Sequence, residues 1–381
     1  MFPSKLPQVG TTIFTVMSKM AAEYNAINLS QGFPDFDCDP ELTALTYQYM
    51  RQGFNQYAPM PGLPLLRERI AQKFNALYGS ALDPDNEITI TAGGTQAIYT
   101  AIPAAVHPAD EVIIFEPAYD CYAPTITLQG ATPIAIPLLA PFFKIPWDEV
   151  RAKITHKTRM IIINNPHNPT GSILNQTDVN ELANLVRNTN IIILADEVYE
   201  HLTFDDQKHQ TLLAHPELKE RTYAIYSFGK LLHATGWKIG YCVAAPALTT
   251  EFRRVHQFLV FSVNTPLQYA IAHYLANAAS YQNVQPFYEQ KRNLFWQLMQ
   301  NTKFTGIPTQ GSYFQLLNYQ AITQQPDTDF AIALTQKTGV AAIPVSAFYS
   351  SEASKKQTYL RFCFAKKDET LQKAADLLRK L

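Results

Sequence analysis

The sequence predicts an α/β fold: a central, mostly parallel sheet of seven strands with helices on both faces, plus a smaller α+β unit. Two observations carry that expectation. Between residues 85 and 245, short apolar runs alternate with helix-like segments, and beyond residue 280 that alternation stops. The runs are Glu87–Thr91, Glu111–Phe115, Thr132–Ile136, Met160–Asn164, Ile191–Ala195, Tyr223–Ser227 and Ile239–Ala244. Each is short, rich in Ile and Val, and bounded by Gly, Pro or Asp, as expected of strands buried on both faces. Thr95–Val106 and Gln176–Arg187 read as crossover helices between them.

Further along, residues 280–305 read as a long helix, with Phe287, Lys291, Leu294, Phe295 and Leu298 at helical spacing. A strand pair (Ser312–Leu317 and Tyr359–Phe364) and helices at Asp327–Thr338 and Asp368–Lys380 follow. The expected division is residues 1–40, 41–280 and 281–381. An N-terminal segment of roughly 35 residues cannot bury a core alone, so it is expected to pack against the C-terminal unit.

Composition narrows the function. The net charge is −1 and no run of like charges stands out, which favours neither nucleic acid nor an anionic membrane surface. Near the middle of the chain, the apolar stretch from Pro133 to Phe143 is broken by prolines and falls short of the roughly 20 residues a spanning helix needs. Met1 to Gly10 lacks a basic start followed by an apolar core, so no export signal is expected. Cys38, Cys121, Cys242 and Cys363 are scattered without metal-type spacing. They fit free thiols in a reducing compartment, and the cytoplasm is the expected address. No metal site is expected.

Five segments carry candidate chemistry. In Ser227-Phe228-Gly229-Lys230, a lysine follows an expected buried strand, with Lys238 shortly after. A solvated loop lysine is the plain alternative, but a desolvated lysine beside a second cation becomes an amine nucleophile for a carbonyl. In Asp196-Glu197-Val198-Tyr199, an acid closes a strand, where open α/β sheets bind ligands. It either caps the next helix or pairs with a protonated ring nitrogen. Gly93-Gly94-Thr95-Gln96, between strand and helix, is either a tight turn or a cradle for one phosphate group. Asn164 to Gly171 holds two Asn-Pro steps, either a plain rigid turn or one in which a locked asparagine donates to a ligand oxygen. Arg361 lies within an expected strand, which demands a partner: an internal acid or a substrate carboxylate gripped bidentately.

Together these segments resemble the class I/II (fold type I) aminotransferases. Asn28 to Phe36, Asn55-Gln56-Tyr57, Glu116 to Tyr122 and Leu360 to Lys366 resemble the kynurenine aminotransferase/glutamine transaminase K branch, and Thr11 to Phe14 and Ser262 to Pro266 are similar to its bacterial methionine-specific members. The resemblance runs from about Lys5 to the C-terminus. It implies pyridoxal 5′-phosphate, held through a Schiff base by Lys230, which also shuttles the proton. Asp196 would hold the pyridine nitrogen, Tyr199 and Asn168 the phenolic oxygen, and Tyr119 would stack on the ring. Gly94, Thr95, Gln96, Ser227 and Lys238 would bind the cofactor's phosphate end, joined by Tyr57 from the partner subunit of a homodimer with shared active sites. Arg361 and Asn168 would grip the substrate carboxylate near the Gly32 backbone, with Phe14 and Phe261 lining the side-chain pocket. It also implies cis peptides at Glu116-Pro117 and Asn168-Pro169.

The implied activity is ping-pong transfer of an amino group from methionine or another large neutral amino acid to a 2-oxo acid. The phenylalanines suit a thioether or an aromatic ring. Alternatives are a kynurenine/glutamine transaminase with cysteine-S-conjugate β-lyase activity, and more remotely a non-catalytic cofactor-binding regulator. One departure stands beside the lysine: Leu231 occupies a position where this branch commonly has Thr or Ser.

Overall fold

The computed structural model describes residues 3–7, 9–351 and 356–381. After a two-residue strand β1 (Ile27–Asn28), the chain lays down β2 (Ile88–Thr91), β3 (Glu111–Glu116), β4 (Thr132–Pro137), β5 (Thr158–Asn164), β6 (Ile192–Asp196), β7 (Thr222–Ser227) and β8 (Gly240–Val243). These seven form one sheet in the order β2-β8-β7-β6-β5-β3-β4. All seven expected strands are present, and the pairs from β7 to β4 are parallel. β8 alone runs antiparallel to both its neighbours. That reversal has a consequence for the site. The start of β8, at Gly240, lies level with the ends of β2 and β7, at Thr91 and Ser227. Lys238, just before β8, therefore reaches the edge where the other strands end.

Five of the strands are buried along their whole length apart from a terminal residue (β3, β6 and β7) or without exception (β2 and β8), which accounts for their unbroken apolar runs. The helix Gly93–Ala105 packs on one face and starts two residues after β2. It includes Gly93 and Gly94, so the glycine pair is its first turn.

The C-terminal unit contains an antiparallel sheet of three strands: β9 (Phe314–Asn318), β11 (Ile343–Pro344) and β12 (Tyr359–Cys363), with β12 central. The expected strand pair is β9 and β12; the two-residue β11 carried no periodicity that could reveal it. A long helix is present as Val284–Met299, with a separate short helix, Ala279–Gln282, before it. The N-terminal segment is tied to this unit, because β1 pairs in parallel with β10 (Val340–Ala341). No helix among the described residues is long and apolar enough to cross a membrane.

A buried polar network fixes the end of β6. Lys73, from the helix Pro64–Tyr78, is 1% exposed and pairs with Glu200. Tyr78 and Tyr241 donate to the same carboxylate at 2.7 and 3.2 Å. Glu197 accepts from the Tyr226 hydroxyl at 2.7 Å and the Leu212 amide at 2.9 Å. Burial alone raises a carboxyl, but Lys73 and His201 more than offset it and hold Glu200 well below its usual range. Both glutamates are thus anchored behind the sheet, on either side of Val198 and Tyr199.

Lys73→Met leaves the Glu200 charge buried without its lysine, with only His201 and two tyrosine hydroxyls beside it, and is expected to lose about 3–5 kcal/mol. Urea denaturation measures this, and the double variant Lys73→Met/Glu200→Leu should recover most of the loss. A single variant as stable as the parent would contradict the assignment.

Candidate active site

A cavity of about 340 Å³ opens at the carboxyl ends of the parallel strands. Its floor is built from strand ends: Asn164 ends β5, Asp196 ends β6 and Ser227 ends β7. Side chains of the turns that follow complete it, as open α/β sheets require. Of the residues singled out from sequence, Phe14, Gly32, Gly94, Thr95, Tyr119, Asn168, Asp196, Tyr199, Ser227, Lys230, Lys238 and Arg361 all line this one cavity.

Lys230 lies in a single helical turn, Phe228–Leu231, directly after β7. Its Nζ donates to the Tyr313 hydroxyl at 2.6 Å and to the Gly32 carbonyl at 3.2 Å. Burial lowers the amine to about 8, with Arg361 and Lys238 acting in the same direction against Cys363 and Asp196. A lysine poised there is neutral for part of the time at physiological pH, as a nucleophilic amine must be. Gly32 is a glycine because a Cβ would stand 2.8 Å from the Phe314 ring.

Asp196 is 3% exposed, and burial raises its carboxyl to about 6. The Tyr122 hydroxyl donates to its Oδ2 at 2.5 Å, which opposes that rise. The backbone behind it is also held, since Asn164 Nδ2 donates to the Asp196 carbonyl at 2.8 Å. Asn164 Oδ1 in turn accepts the Asn168 amide at 2.7 Å.

Arg361 projects from β12 and is 1% exposed. Its Nη1 donates to Asn168 Oδ1 at 2.9 Å and its Nη2 to the Ser30 carbonyl at 2.8 Å. The guanidinium lies 3.9 Å from the Phe314 ring centroid and 5.2 Å from those of Phe14 and Phe348. Among the described residues no carboxylate pairs with it, and its Nε has no partner. Burial lowers it to about 10, so it remains charged at neutral pH. Of the two readings the sequence left open for Arg361, an internal ion pair is absent among the described residues. A buried, unneutralised guanidinium is costly and calls for an anion.

At the other end, the first turn of Gly93–Ala105 presents its amides, next to Lys238. A Cβ on Gly93 would meet Lys238 Nζ at 3.4 Å, and one on Gly94 would meet Val198 at 3.0 Å. Thr95 and Tyr119 share a hydrogen bond of 3.2 Å.

Three candidates lie elsewhere. The side chain of Gln96 turns away from the cavity, caps the Ala92 amide at 2.9 Å and donates to Thr100 at 2.5 Å. Tyr57 and Phe261 are 81% and 48% exposed, and they meet edge to face with ring centroids 5.4 Å apart, outside this cavity. Leu231 is buried in the core beside it. Conversely, Tyr122 and Tyr313 touch the key groups and were not singled out. Tyr122 sits in the quoted segment Glu116 to Tyr122, but its contact joins residues 74 apart; nothing in the local pattern marks Tyr313.

Comparison with known proteins identifies the family. The model of the family "Aminotransferase class I and II" matches residues 24–378. The chain belongs to that family. Its members use pyridoxal 5′-phosphate, and the chain is accordingly a pyridoxal-phosphate-dependent aminotransferase. A methionine aminotransferase from Escherichia coli (strain K12) is 48% identical over 379 residues, covering 99% of this chain and 98% of the relative. A kynurenine–oxoglutarate transaminase from Dictyostelium discoideum is 33% identical over 419 residues, covering 100% and 96%. A solved Escherichia coli structure, described as having a methionine aminotransferase function, superposes with a TM-score of 0.97 at 46% identity over 100% of both chains. Both expected cis peptides are present, with two more at Ala140-Pro141 and Asn165-Pro166.

The donor set fits this cofactor. A helix N-terminus, a hydroxyl and a lysine unpaired among the described residues suit a phosphate; a buried acid across the cavity suits a protonated ring nitrogen; and an amine lies in the same cavity.

In the cofactor-free protein, the Asp196 carboxyl should titrate near 6. Tyr122→Phe removes a hydrogen bond to the charged form, so the midpoint should rise. Infrared titration of the carboxyl band, assigned by its loss in Asp196→Asn, reads this; an unmoved midpoint would contradict it.

Proposed function

We propose that this aminotransferase takes the amino group from methionine, and from aromatic and other large neutral L-amino acids, and passes it to a 2-oxo acid in a ping-pong sequence. One observation carries the reading: the Arg361 guanidinium, which no carboxylate among the described residues pairs with, and the Lys230 amine line the same aromatic-walled cavity.

Bound there, pyridoxal 5′-phosphate supplies the electron sink for the pair left by a departing α-proton. The protein's own groups do the rest. Lys230 anchors the cofactor, then removes and returns the proton. Asp196 keeps the ring nitrogen protonated, while Tyr199 and Asn168 hold the phenolic oxygen and Tyr119 stacks on the ring. The amides at Gly94, Thr95 and Gln96, with Ser227 and Lys238, hold the phosphate. Arg361 and Asn168 hold the substrate carboxylate beside Gly32, leaving the side chain against Phe14. Among the described residues no second arginine lines the cavity for a side-chain carboxylate, which disfavours aspartate. The names of the two Escherichia coli proteins support methionine as the donor.

A homodimer belongs to the same proposal. Exposed Tyr57, Phe258 and Phe261 support it, since large apolar groups this exposed favour a partner. Tyr57 and Phe261 would then complete the partner's site. The division at residues 1–40, 41–280 and 281–381 is kept, with the N-terminal segment closing the site through Ser30 and Gly32. A cytoplasmic address is supported by four free cysteines.

Single half-reactions with a panel of donors, followed by cofactor absorbance, test the substrate reading. Methionine and phenylalanine should react on the order of 10²-fold faster than aspartate. Kynurenine reacting far faster than methionine would favour the kynurenine branch instead. Lys230→Ala should abolish every half-reaction, and retained turnover would sink the mechanism. Arg361→Met should raise the donor KM by about 10²-fold, because a buried charge-assisted pair is lost.

A further inference from the structure

Tyr313 immediately precedes β9 and is fully buried. Its hydroxyl lies between the catalytic lysine and the N-terminal segment. It donates its only proton to the Gly32 carbonyl and accepts from Lys230 Nζ at 2.6 Å. The same carbonyl accepts from Nζ at 3.2 Å. Its ring stands edge-on to Tyr199 at 5.1 Å and to Phe314 at 4.8 Å, so the hydroxyl cannot swing away without repacking both.

The direction of these bonds matters. The Tyr313 hydroxyl also faces that of Tyr199, but its proton is directed at the Gly32 carbonyl, so the phenol offers Lys230 its lone pairs. Burial pushes it well above the usual tyrosine range, so it stays neutral. Two neutral acceptors favour an ammonium over a free amine. Of the other groups facing Lys230, Asp196 and Cys363 favour its charged form, whereas Arg361 and Lys238 oppose it. The Tyr199 and Tyr313 rings lie 5.6 and 5.2 Å from Nζ. Asp196 is already engaged by Tyr122.

We propose that Tyr313 is a positioning residue for proton transfer: with the Gly32 carbonyl, it receives the Lys230 amine whenever that amine carries the substrate's α-proton. This rests on Lys230 being the proton carrier. In the step, the substrate Cα–H bond breaks and an N–H bond forms on Nζ. The electron pair stays with the substrate and its bound cofactor. Nζ then gives the proton up and returns to a neutral amine. Tyr313 holds the ammonium in place between those two events and exchanges no proton itself.

Tyr313→Phe keeps the ring and removes only the acceptor. In the holoenzyme kcat should fall about 10- to 100-fold with donor KM little changed, as for loss of an interaction made during the chemical step. The primary isotope effect with α-deuterated methionine should increase. A second readout needs no turnover. In the cofactor-free protein, amine labelling of Lys230, read by peptide mass spectrometry across pH, should show its midpoint shifted down by about one unit. Tyr288→Phe is the control: it removes a buried hydroxyl that has no hydrogen-bond partner among the described residues and lies outside the lysine's contacts. It should match the parent in every readout. An unchanged isotope effect and an unmoved labelling midpoint in Tyr313→Phe would overturn the proposal, even with Lys230→Ala inactive. Turnover by Lys230→Ala would instead overturn the reading beneath it.

Discussion

The structure depends on one electrostatic imbalance. Lys230, Lys238 and Arg361 all line a single cavity, and among the described residues neither Lys238 nor Arg361 has a carboxylate partner. Lys238 is exposed, but Arg361 is buried, and a desolvated charge without a counterion costs several kcal/mol, so folding alone does not favour the placement of Arg361. It becomes favourable when anions arrive. A phosphate at one end and a carboxylate at the other would neutralise the two cations that lack partners. The carbonyls of Ser30 and Gly32, the amide oxygen of Asn168 and the faces of aromatic rings hold the cations meanwhile, each partial and neutral.

Rigidity for that imbalance comes from the other side of the sheet. The segment Asp196 to Glu200 presents Asp196, Val198 and Tyr199 to the cavity, while Glu197 and Glu200 turn into a closed network of Lys73, three tyrosines and two histidines. One face thus satisfies its charges fully; the other leaves them for a ligand. The antiparallel β8 serves the same end, because only a strand starting at that edge delivers Lys238 there.

Much of this was legible in the sequence because it is local. Buried parallel strands write themselves as short apolar runs, and Lys230, Asp196 and Arg361 each sit where such a run ends or where a charge has no business being buried. What remained hidden depends on tertiary contact. Tyr122 reaches Asp196 across 74 residues and Tyr313 reaches Lys230 across 83, distances no period can encode. The side chain of Gln96 was expected near the phosphate end, yet it bends back to cap its own helix, as short-range bonds often decide. Phe261 is expected at the side-chain pocket and stands on the surface with Tyr57, a location that one chain alone cannot make into a binding site.

Everything turns on which amine the cavity offers to the cofactor. Borohydride reduction of the cofactor-loaded protein, followed by peptide mass mapping, reads that choice directly. The account predicts the added mass on the peptide bearing Lys230, and no fixed cofactor in Lys230→Arg. Cofactor fixed on Lys238, or the same yield from Lys230→Arg, would contradict it.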